Sequence, residues 1–216
     1  MPLPLVIGIT VASIAVIILV YLYPIKSWYR NWGATDEEVN NKMLGDEEVS
    51  GANNVVTTAV TIRSPVVNVW PWLVQMGYKR GGMYSYDWID RLLHILDAPS
   101  SKEIIPEFQK LEVGDVIPMG SGPSWPVASI EENRSLLLVI KEPGVDVTWS
   151  FLLQKRDKDN TRLILRIRTL IPMKPLVRIL VPIINIGSFL MTRKMMLGIK
   201  QRAESLTGDK KNSNRE

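Results

Sequence analysis

Residues 69–88 hold the side chains of this 216-residue chain best suited to binding or acting on a small molecule. Three of the seven tryptophans and three of the six tyrosines lie there, around the pair Gly81-Gly82. Each joins a large apolar body to one polar group, so the cluster indicates either an aromatic core or the wall of a cavity. We place these candidate site residues near the mouth of such a cavity: Trp72, Gln75, Arg80, Tyr84, Tyr86, Asp87, Trp125 and Trp149.

Asp87 is the candidate for proton transfer. A carboxylate that is partly buried among aromatic rings becomes more basic, and beside Tyr86 and Arg80 it could act as a general base on an enolisable substrate. Two structural roles are also open, because Asp87 could stabilise a helix N-terminus through the helix dipole or pair with Arg80 to hold the loop. Three tryptophans lie at helix or strand spacing, and for them burial in the core is the alternative to a place in the cavity wall: Trp70, Trp88 and Trp149.

Cysteine is absent from the chain, and histidine occurs once, at His94. Disulfides, thiol nucleophiles and thiolate metal sites are therefore excluded, and a zinc or iron site would need carboxylates alone. Gly81-Gly82 is followed by neither Lys-Ser nor Lys-Thr, so the pair does not match a phosphate-binding loop. We predict no metal, no cofactor and no nucleotide.

Residues 1–25 contain no charged side chain, and the run Leu5 to Tyr23 carries only Thr10 and Ser13 as polar groups. As a helix this run would span roughly 28 Å, which is the hydrocarbon thickness of a bilayer. A cleaved signal peptide is the alternative, but a basic start and a small-x-small cleavage site are missing. The sequence therefore predicts a transmembrane anchor whose helix ends at Pro24.

The cations of the chain are concentrated in two places. Lys26, Arg30 and Lys42 follow the apolar run, and only the terminal amine precedes it, which places the large domain on the cytoplasmic side of a single-pass membrane protein. Residues 172–216 hold nine Lys or Arg against three acids, within a net charge of +4 for the whole chain. A basic C-terminal helix beside a membrane favours anionic lipid head groups as a partner, and we do not predict nucleic acid binding.

The first ordered elements are expected to be a strand and two short helices. Residues 55–62 alternate between two faces, as in a strand. Ser64-Pro65 predicts the start of a helix, and Pro71 predicts a kink that redirects Trp72. Ser85 is expected to cap a second helix with one apolar stripe and one polar stripe. The apolar stripe is Ile89, Leu92, Leu93 and Leu96, and the polar one is Asp87, Asp90, Arg91 and His94.

The second half of the chain predicts an antiparallel meander and a long helix. Its five strands are expected over residues 113–119, 126–131, 135–140, 147–154 and 161–171. Arginines alternate with apolar residues in the last strand and are expected on a wet outer face: Arg162, Arg166 and Arg168. Residues 177–206 form the long helix, and its uncharged stretch 179–192 is too short for a second span. We expect it to pack on the sheet, with a partly interfacial helix as the alternative.

Five short motifs carry a resemblance to a known family: Asn31-Trp-Gly-Ala-Thr-Asp-Glu-Glu, Ala59-Val-Thr-Ile with Ser64-Pro65, Val69-Trp-Pro-Trp-Leu-Val-Gln-Met-Gly, Gly81-Gly-Met-Tyr-Ser-Tyr-Asp-Trp and Val113-Gly-Asp-Val. Over residues 31–206 the chain resembles bacterial members of the SRPBCC superfamily, also described as START-like or polyketide cyclase-like. The resemblance implies an α+β helix-grip fold, in which a curved antiparallel sheet wraps around a long C-terminal helix and encloses a cavity. It also implies an apolar ligand, whereas the oxygenase branch needs cysteine and histidine ligands that this chain lacks.

These expectations divide the chain into an anchor (1–25), a juxtamembrane linker (26–54), a helix-grip domain (55–207) and a disordered tail (208–216). Three functions fit them. We favour a membrane-anchored binding domain for a lipid or other apolar small molecule. The second is a small-molecule enzyme of the polyketide cyclase type. The third is an interaction module without a ligand, whose interior would be filled by Trp and Met side chains.

Overall fold

The computed structural model describes residues 2–172 and 174–213, apart from the helical side chains of residues 3, 11, 14–25, 175–176, 178–180 and 209–213. Within this part the helices are α1 (Leu3–Arg30), α2 (Asp36–Asn40), α3 (Val66–Val74), α4 (Asp87–Leu92) and α5 (Pro175–Ser213). The strands are β1 (Asn54–Ile62), β2 (Val116–Ile117), β3 (Trp125–Glu131), β4 (Ser135–Glu142), β5 (Val145–Lys155) and β6 (Thr161–Leu170). A 3₁₀ turn occupies Pro106–Phe108.

The described strands form one sheet in the order β1-β6-β5-β4-β3-β2, and each neighbouring pair is antiparallel. β1 pairs with β6 from Asn54 opposite Thr169 to Ile62 opposite Thr161, so the first and last strands are neighbours. The predicted α+β architecture, an antiparallel sheet with a long C-terminal helix, is confirmed. β2 is much shorter than the predicted strand over 113–119, because it pairs with β3 at only two positions, one of them a proline.

Alternate residues of the strands face α3 and α5 and form the core on the inner face of the sheet. The sheet contributes fully buried side chains that include Ile62, Leu136, Leu138, Phe151, Leu163 and Leu165. From α5 come Met195, Met196, Ile199 and Ala203. Burial of a side chain of leucine size contributes roughly 1.5–3 kcal/mol to folding. A long helix along one face of such a sheet fits the helix-grip arrangement.

The outer face of the sheet is covered by residues 31–53 of the linker. Arg166 is only 3% exposed. Its guanidinium donates to four linker groups: the carbonyls of Glu38, Val39 and Asn41 and the Asp46 carboxylate. Arg162 forms a two-point pair with Glu38 at 2.8 and 2.7 Å. The prediction that this face is wet is therefore wrong for Arg162 and Arg166, because the acidic linker supplies enough acceptors to bury their charges.

α1 is one continuous helix to Arg30 and does not end at Pro24 as predicted. A proline removes one backbone hydrogen bond, and the helix continues past it. In the described part of the chain, no helix is both long and apolar enough to cross a membrane. Most side chains of the predicted span over residues 5–23 lie outside the described residues. Past the span, three rings surround Phe189 of α5 at centroid distances of 5.2, 6.0 and 6.4 Å: Trp28, Tyr29 and Trp32.

α4 is rotated relative to the predicted amphipathic helix. Leu92 and Leu93 were expected in the core but are exposed, as is Trp88, whereas Asp90 was expected on the polar face and is buried. The Ser85 hydroxyl donates to the Asp90 carboxylate and does not cap the helix, whose N-cap is Tyr86. The prediction was wrong because α4 has only six residues, and this buried hydrogen bond decides which side turns inward.

Two helix ends also differ from the expectation. α3 begins after Pro65 without a side-chain cap, because the Ser64 hydroxyl is hydrogen-bonded to Ala203 and Thr207 of α5. α5 runs to Ser213, six residues into the tail expected over residues 208–216. Each residue added to an existing helix gains one backbone hydrogen bond without a new nucleation cost, which favours this extension.

Candidate functional site

Trp72 and Tyr84 form the centre of the candidate site, between α3 and α5. Their side chains are 1% and 2% exposed, and their rings meet edge to face at a centroid distance of 5.9 Å. Arg202 of α5 places its guanidinium carbon 4.6 Å from the Tyr84 ring centroid and 6.0 Å from that of Trp72. Aromatic faces attract a cation at such distances. The core of the site is therefore an aromatic pair with a cation beside it.

Arg202 is held in place through its backbone partners. Its Nε donates to the Ser101 carbonyl at 2.8 Å, and its Nη1 donates to the Gly198 carbonyl at 3.2 Å. The Nη2 atom makes no hydrogen bond with any residue that the structure describes. Burial lowers the pKa of Arg202, and the nearby Tyr84 and Asp87 partly oppose this shift. Arg202 thus presents a positioned cation with a donor to spare.

Two donors of the aromatic pair have no hydrogen-bond acceptor within the described chain: the Trp72 Nε1–H and the Tyr84 O–H. Burial raises the pKa of the Tyr84 phenol, and a hydrogen bond from the Gln75 side chain to the phenol oxygen, together with the nearby Arg202 charge, opposes only part of that effect. The phenol therefore stays protonated and can donate a hydrogen bond. A buried polar group without a partner costs roughly 1–3 kcal/mol, so two in one side-chain pair require an explanation.

Trp125 and Trp149 form a second aromatic pair on β3 and β5. Their rings lie 4.6 Å apart at an interplanar angle of 32°, and Trp149 meets Phe151 edge to face at 6.0 Å. Trp125 is buried and its Nε1 has no hydrogen-bond partner among the residues that the structure describes, whereas Trp149 is half-buried. The structure thus brings the predicted tryptophans Trp125 and Trp149 together, within the same core as Trp72 and Tyr84.

Gln75 and Arg80 bind the backbone of the chain. Gln75 is fully buried and donates to the Glu103 carbonyl at 3.1 Å, while its Oε1 accepts from the Ile105 N–H at 2.9 Å and from Gln109 at 3.0 Å. Arg80 donates to the carbonyls of Val74 and Met76 at the end of α3 and to the carbonyl of Phe108. Its guanidinium also packs over the Phe108 ring. Both side chains fix the connector over residues 103–109 against α3.

Asp87 holds the loop that carries Tyr84. Its two carboxylate oxygens accept from the Ser100 hydroxyl at 2.6 Å and from the Ser100 N–H at 3.1 Å. The same hydroxyl accepts from the Tyr84 N–H at 3.0 Å, and Tyr84 has the positive φ of 56° that needs such support. This geometry matches the loop-holding role considered for Asp87, with Ser100 in place of Arg80. Tyr86 lies beside it as the N-cap of α4, with Lys194 Nζ 5.8 Å from its ring.

Large side chains fill the region around both aromatic pairs. Four buried methionines contribute to it: Met76, Met83, Met195 and Met196. Two depressions of about 360 and 390 Å³ open elsewhere on the surface. The first lies between the turn at Gly144 and the end of β6, and the second lies at the end of α1. Methionine side chains are flexible and adapt their shape, so this core can rearrange more easily than one of branched side chains.

Sequence reasoning missed three residues of the site: Ser100, Asp90 and Arg202. Ser100 bonds to residues 13 and 16 positions away, and Asp90 bonds to Ser85, five positions away, and only the fold of the loop reveals these hydrogen bonds. The sequence pattern places Arg202 only among the basic residues of the C-terminal helix. Gly198, one helical turn before it, is a signal that another backbone approaches this part of the helix closely, because glycine has no side chain to prevent that approach. A Cβ there would lie 2.3 Å from the Tyr84 carbonyl oxygen. Among the described residues, no cluster of His, Asp or Glu could hold a metal ion.

Comparison with known proteins gives matches among solved structures. No protein-family model matches the chain, and no curated protein matches it. A protein from Mesorhizobium loti is 15% identical, with a TM-score of 0.42, over 70% of this chain and 98% of its own. Norcoclaurine synthase from Thalictrum flavum is 16% identical, with a TM-score of 0.43, over 71% and 96%. CalU16 from Micromonospora echinospora is 17% identical, with a TM-score of 0.35, over 71% and 86%. A likeness at these scores supports no conclusion about the ligand or activity of this chain.

Proposed function

We propose that this protein is a binding domain for a mainly apolar small molecule, held between the sheet and α5. The unpartnered Trp72 Nε1 and Tyr84 hydroxyl, together with the Arg202 cation beside them, are the observation that carries the proposal. They would donate to an acceptor on the ligand, while the surrounding apolar side chains cover the rest of it. The resemblance to the SRPBCC superfamily supports the same function.

The ligand must displace side chains, because the inner face is filled in the structure described here. The four core methionines are suited to this, since each has several rotatable bonds. Met196 is the least free to move, because its sulfur accepts a hydrogen bond from the buried Thr58 hydroxyl at 3.2 Å. The ligand would then gain the apolar contacts of the core and relieve the cost of the unpartnered donors. We expect a lipid or polyketide-sized molecule with one acceptor group.

Native mass spectrometry of the full chain, purified in a mild detergent, tests this proposal. We expect an added mass, which denaturing extraction then identifies. Tyr84→Phe removes only the hydroxyl and should lower the occupancy about fivefold or more, as expected for the loss of a hydrogen bond worth roughly 1 kcal/mol. Tyr78→Phe is the matched control, because Tyr78 lies outside the buried pair. A bare protein in every preparation would refute the proposal.

An interaction module without a ligand is the second candidate. The close filling of the inner face by aromatic and methionine side chains favours it. In that case the unpartnered donors lower the stability of the fold whether or not apolar molecules are present, and removal of the Tyr84 hydroxyl should stabilise the protein under all conditions. The two candidates therefore make opposite predictions for the stability of Tyr84→Phe in protein that has not been stripped of apolar molecules.

Membrane anchoring through residues 3–23, with the domain in the cytoplasm, is the second part of the proposal. The uncharged run Leu5 to Tyr23 and the cations that follow it support this part. Because the chain has no cysteine, a cysteine placed at Ser50 or at Pro2 reports each side alone. An impermeant maleimide should label Pro2→Cys in intact cells and Ser50→Cys only after permeabilisation. The reverse pattern would refute the cytoplasmic placement, and release of the chain by carbonate washing would refute the anchor.

The basic C-terminal helix is a poor candidate for the head-group contact. Four of its cations contact their own domain: Arg193 lies over the Trp32 ring, Lys194 over Tyr86, Lys200 bonds the Thr61 carbonyl and Arg202 lies in the site. These contacts use the charges that would otherwise face a membrane. We therefore do not extend the proposal to head-group binding by α5.

A further inference from the structure

A depression of about 390 Å³ lies where α1 meets the outer edge of the sheet. One wall is the last turn of α1 and the residue after it, and the other comes from α2 and β1. Its lining includes Lys26, Ser27, Arg30 and Asn31 on the first wall and Val39 and Val55 on the second. Two cations and three uncharged polar groups, the third being Thr57 of β1, therefore share one concave surface, and its described lining contains no carboxylate.

The continuity of α1 makes this surface rigid. Because the helix passes Pro24 and ends only at Arg30, Lys26 and Arg30 are four residues apart on one helical face. Arg30 is oriented by two bonds, from Nε to the Val55 carbonyl at 3.1 Å and from Nη2 to Asn54 Oδ1 at 3.2 Å. Its Nη1 has no acceptor among the described residues, and Lys26 is exposed. Both cations thus keep a donor for a ligand.

Along α1, Lys26 lies at the depth of the head-group layer of a bilayer, and Arg30 lies just past that layer. At about 1.5 Å per residue, Lys26 lies about 4.5 Å beyond Tyr23 and Arg30 about 10 Å beyond it. The head-group regions add roughly 5–7 Å to each side of the hydrocarbon core. Trp28 is exposed on the same turn, as is typical of an interfacial belt. If the apolar run spans the bilayer, the depression faces the phosphates.

We propose that this depression binds the phosphate-bearing head group of an anionic membrane phospholipid through Lys26 and Arg30. Charge complementarity supports the assignment, because two cations in a depression whose lining holds no carboxylate attract an anion, and a rigid concave wall favours a bound head group. The proposal rests on the membrane anchor of the proposed function. It does not depend on the ligand of the inner face.

The test uses the full chain in nanodiscs of phosphatidylcholine with a minor fraction of phosphatidylglycerol. Native mass spectrometry after release from the nanodisc measures which lipid stays bound. The wild-type protein should retain phosphatidylglycerol in preference to phosphatidylcholine, and Lys26→Gln should lower this preference about fivefold, as expected for one cation near a membrane surface. Lys42→Gln is the matched control, since Lys42 is an exposed linker cation 3.8 Å from Glu47 and outside the depression. It should leave the preference unchanged.

The other outcomes each overturn the proposal in a distinguishable way. Equal retention of the two lipids, or equal loss in Lys26→Gln and Lys42→Gln, would refute a head-group site while leaving the anchor intact. If millimolar inorganic phosphate replaces phosphatidylglycerol and remains bound itself, the site takes free phosphate and the lipid assignment is wrong. If the chain does not enter nanodiscs, the anchor fails and the head-group site fails with it, whereas binding at the inner face is unaffected.

Discussion

The two faces of the sheet bury polar side chains in different ways. On the outer face, Arg166 is covered by the linker and finds four linker groups for its guanidinium. On the inner face, Trp72 and Tyr84 are equally buried, but their donors find no partner in the described chain. The outer face also has unpartnered atoms, namely the hydroxyls of Thr148 and Ser150 and one oxygen of Asp46. Among the described residues, the inner face alone combines unpartnered donors with a cation beside the same two rings, namely Arg202 beside Trp72 and Tyr84.

This difference separates a structural network from a candidate binding site. A buried guanidinium with a full set of acceptors holds the linker on the sheet, and nothing else is needed to explain it. Unpartnered donors beside Arg202 are explained if a ligand supplies the acceptor. Substitutions on the outer face should therefore change the stability of the protein equally with and without ligand. Substitutions on the inner face should change the stability by an amount that depends on whether the ligand is bound.

The largest effect is expected at Arg166. Arg166→Met removes the buried charge, leaves the partly buried Asp46 without its 2.7 Å partner and the linker carbonyls without their donor, and should lower the free energy of unfolding by about 3–5 kcal/mol. Urea unfolding followed by tryptophan fluorescence measures the change. Arg156→Met is the control, because Arg156 pairs with Glu38 from an exposed position and should cost less than about 1 kcal/mol. Similar losses in both variants would contradict a buried arginine network.

The next effect is expected on the inner face, at Gly198. A Cβ at this position would lie 2.3 Å from the Tyr84 carbonyl oxygen, so Gly198→Ala should force α5 away from the Tyr84 loop and cost about 1–3 kcal/mol. Gly187→Ala is the matched control in the same helix, since a Cβ there meets nothing within 4 Å. Alanine favours a helix over glycine, so the control should be stabilised by up to about 1 kcal/mol. Stabilisation of both variants would disprove the close contact of α5 with the Tyr84 loop.

The pH dependence of stability should differ between two carboxylates, Glu38 beside the outer face and Asp90 on α4. Burial alone would raise the pKa of Glu38, but hydrogen bonds from Arg162 and the Thr35 N–H outweigh it, and the pKa lies below its ordinary 4.5. The folded protein therefore binds this proton more weakly than the unfolded chain does. Its contribution to stability is present above pH 4.5 and is lost as the pH falls through the folded-state pKa.

Asp90 has the opposite sign. Burial and the nearby Asp87 raise its pKa above the ordinary 3.8, although the Ser85 hydrogen bond lowers it in part. Stability should therefore fall as the pH rises from 3.8 through the raised pKa. Unfolding free energies measured across acidic pH should show that Glu38→Gln flattens the loss at low pH and that Asp90→Asn removes the decrease above pH 3.8. The same change in slope for both variants would contradict the assigned shifts.

The sequence predicts the architecture of this chain well, because periodic burial leaves a clear pattern. The strands β3 to β6 are close to their predicted bounds, since alternation and turn residues define them locally, whereas β2 is much shorter than predicted. The α4 register could not be predicted in this way. Its exposed Leu92 and buried Asp90 reverse the apolar pattern, and the Ser85 hydrogen bond that decides the register becomes visible only in the folded loop.

The site was predicted in part, for a related reason. Aromatic composition pointed to Trp72, Tyr84, Trp125 and Trp149, which the structure brings into two contacting pairs. A polar side chain in this region can form hydrogen bonds either with the backbone or with a ligand. Which of the two it does depends on residues that are distant in sequence. Gln75 bonds to residues about 30 positions away, and no local pattern indicates such partners.

The most direct test of the inner-face account is the stability of Tyr84→Phe with and without bound ligand. Its free energy of unfolding should be compared with that of the wild-type protein, first as purified and then after apolar molecules are removed on a hydrophobic resin. If the hydroxyl serves a ligand, the variant should be more stable than the wild type by about 1 kcal/mol when stripped and less stable when loaded. A gain of the same size in both states would show that the hydroxyl has no ligand partner and would contradict the account.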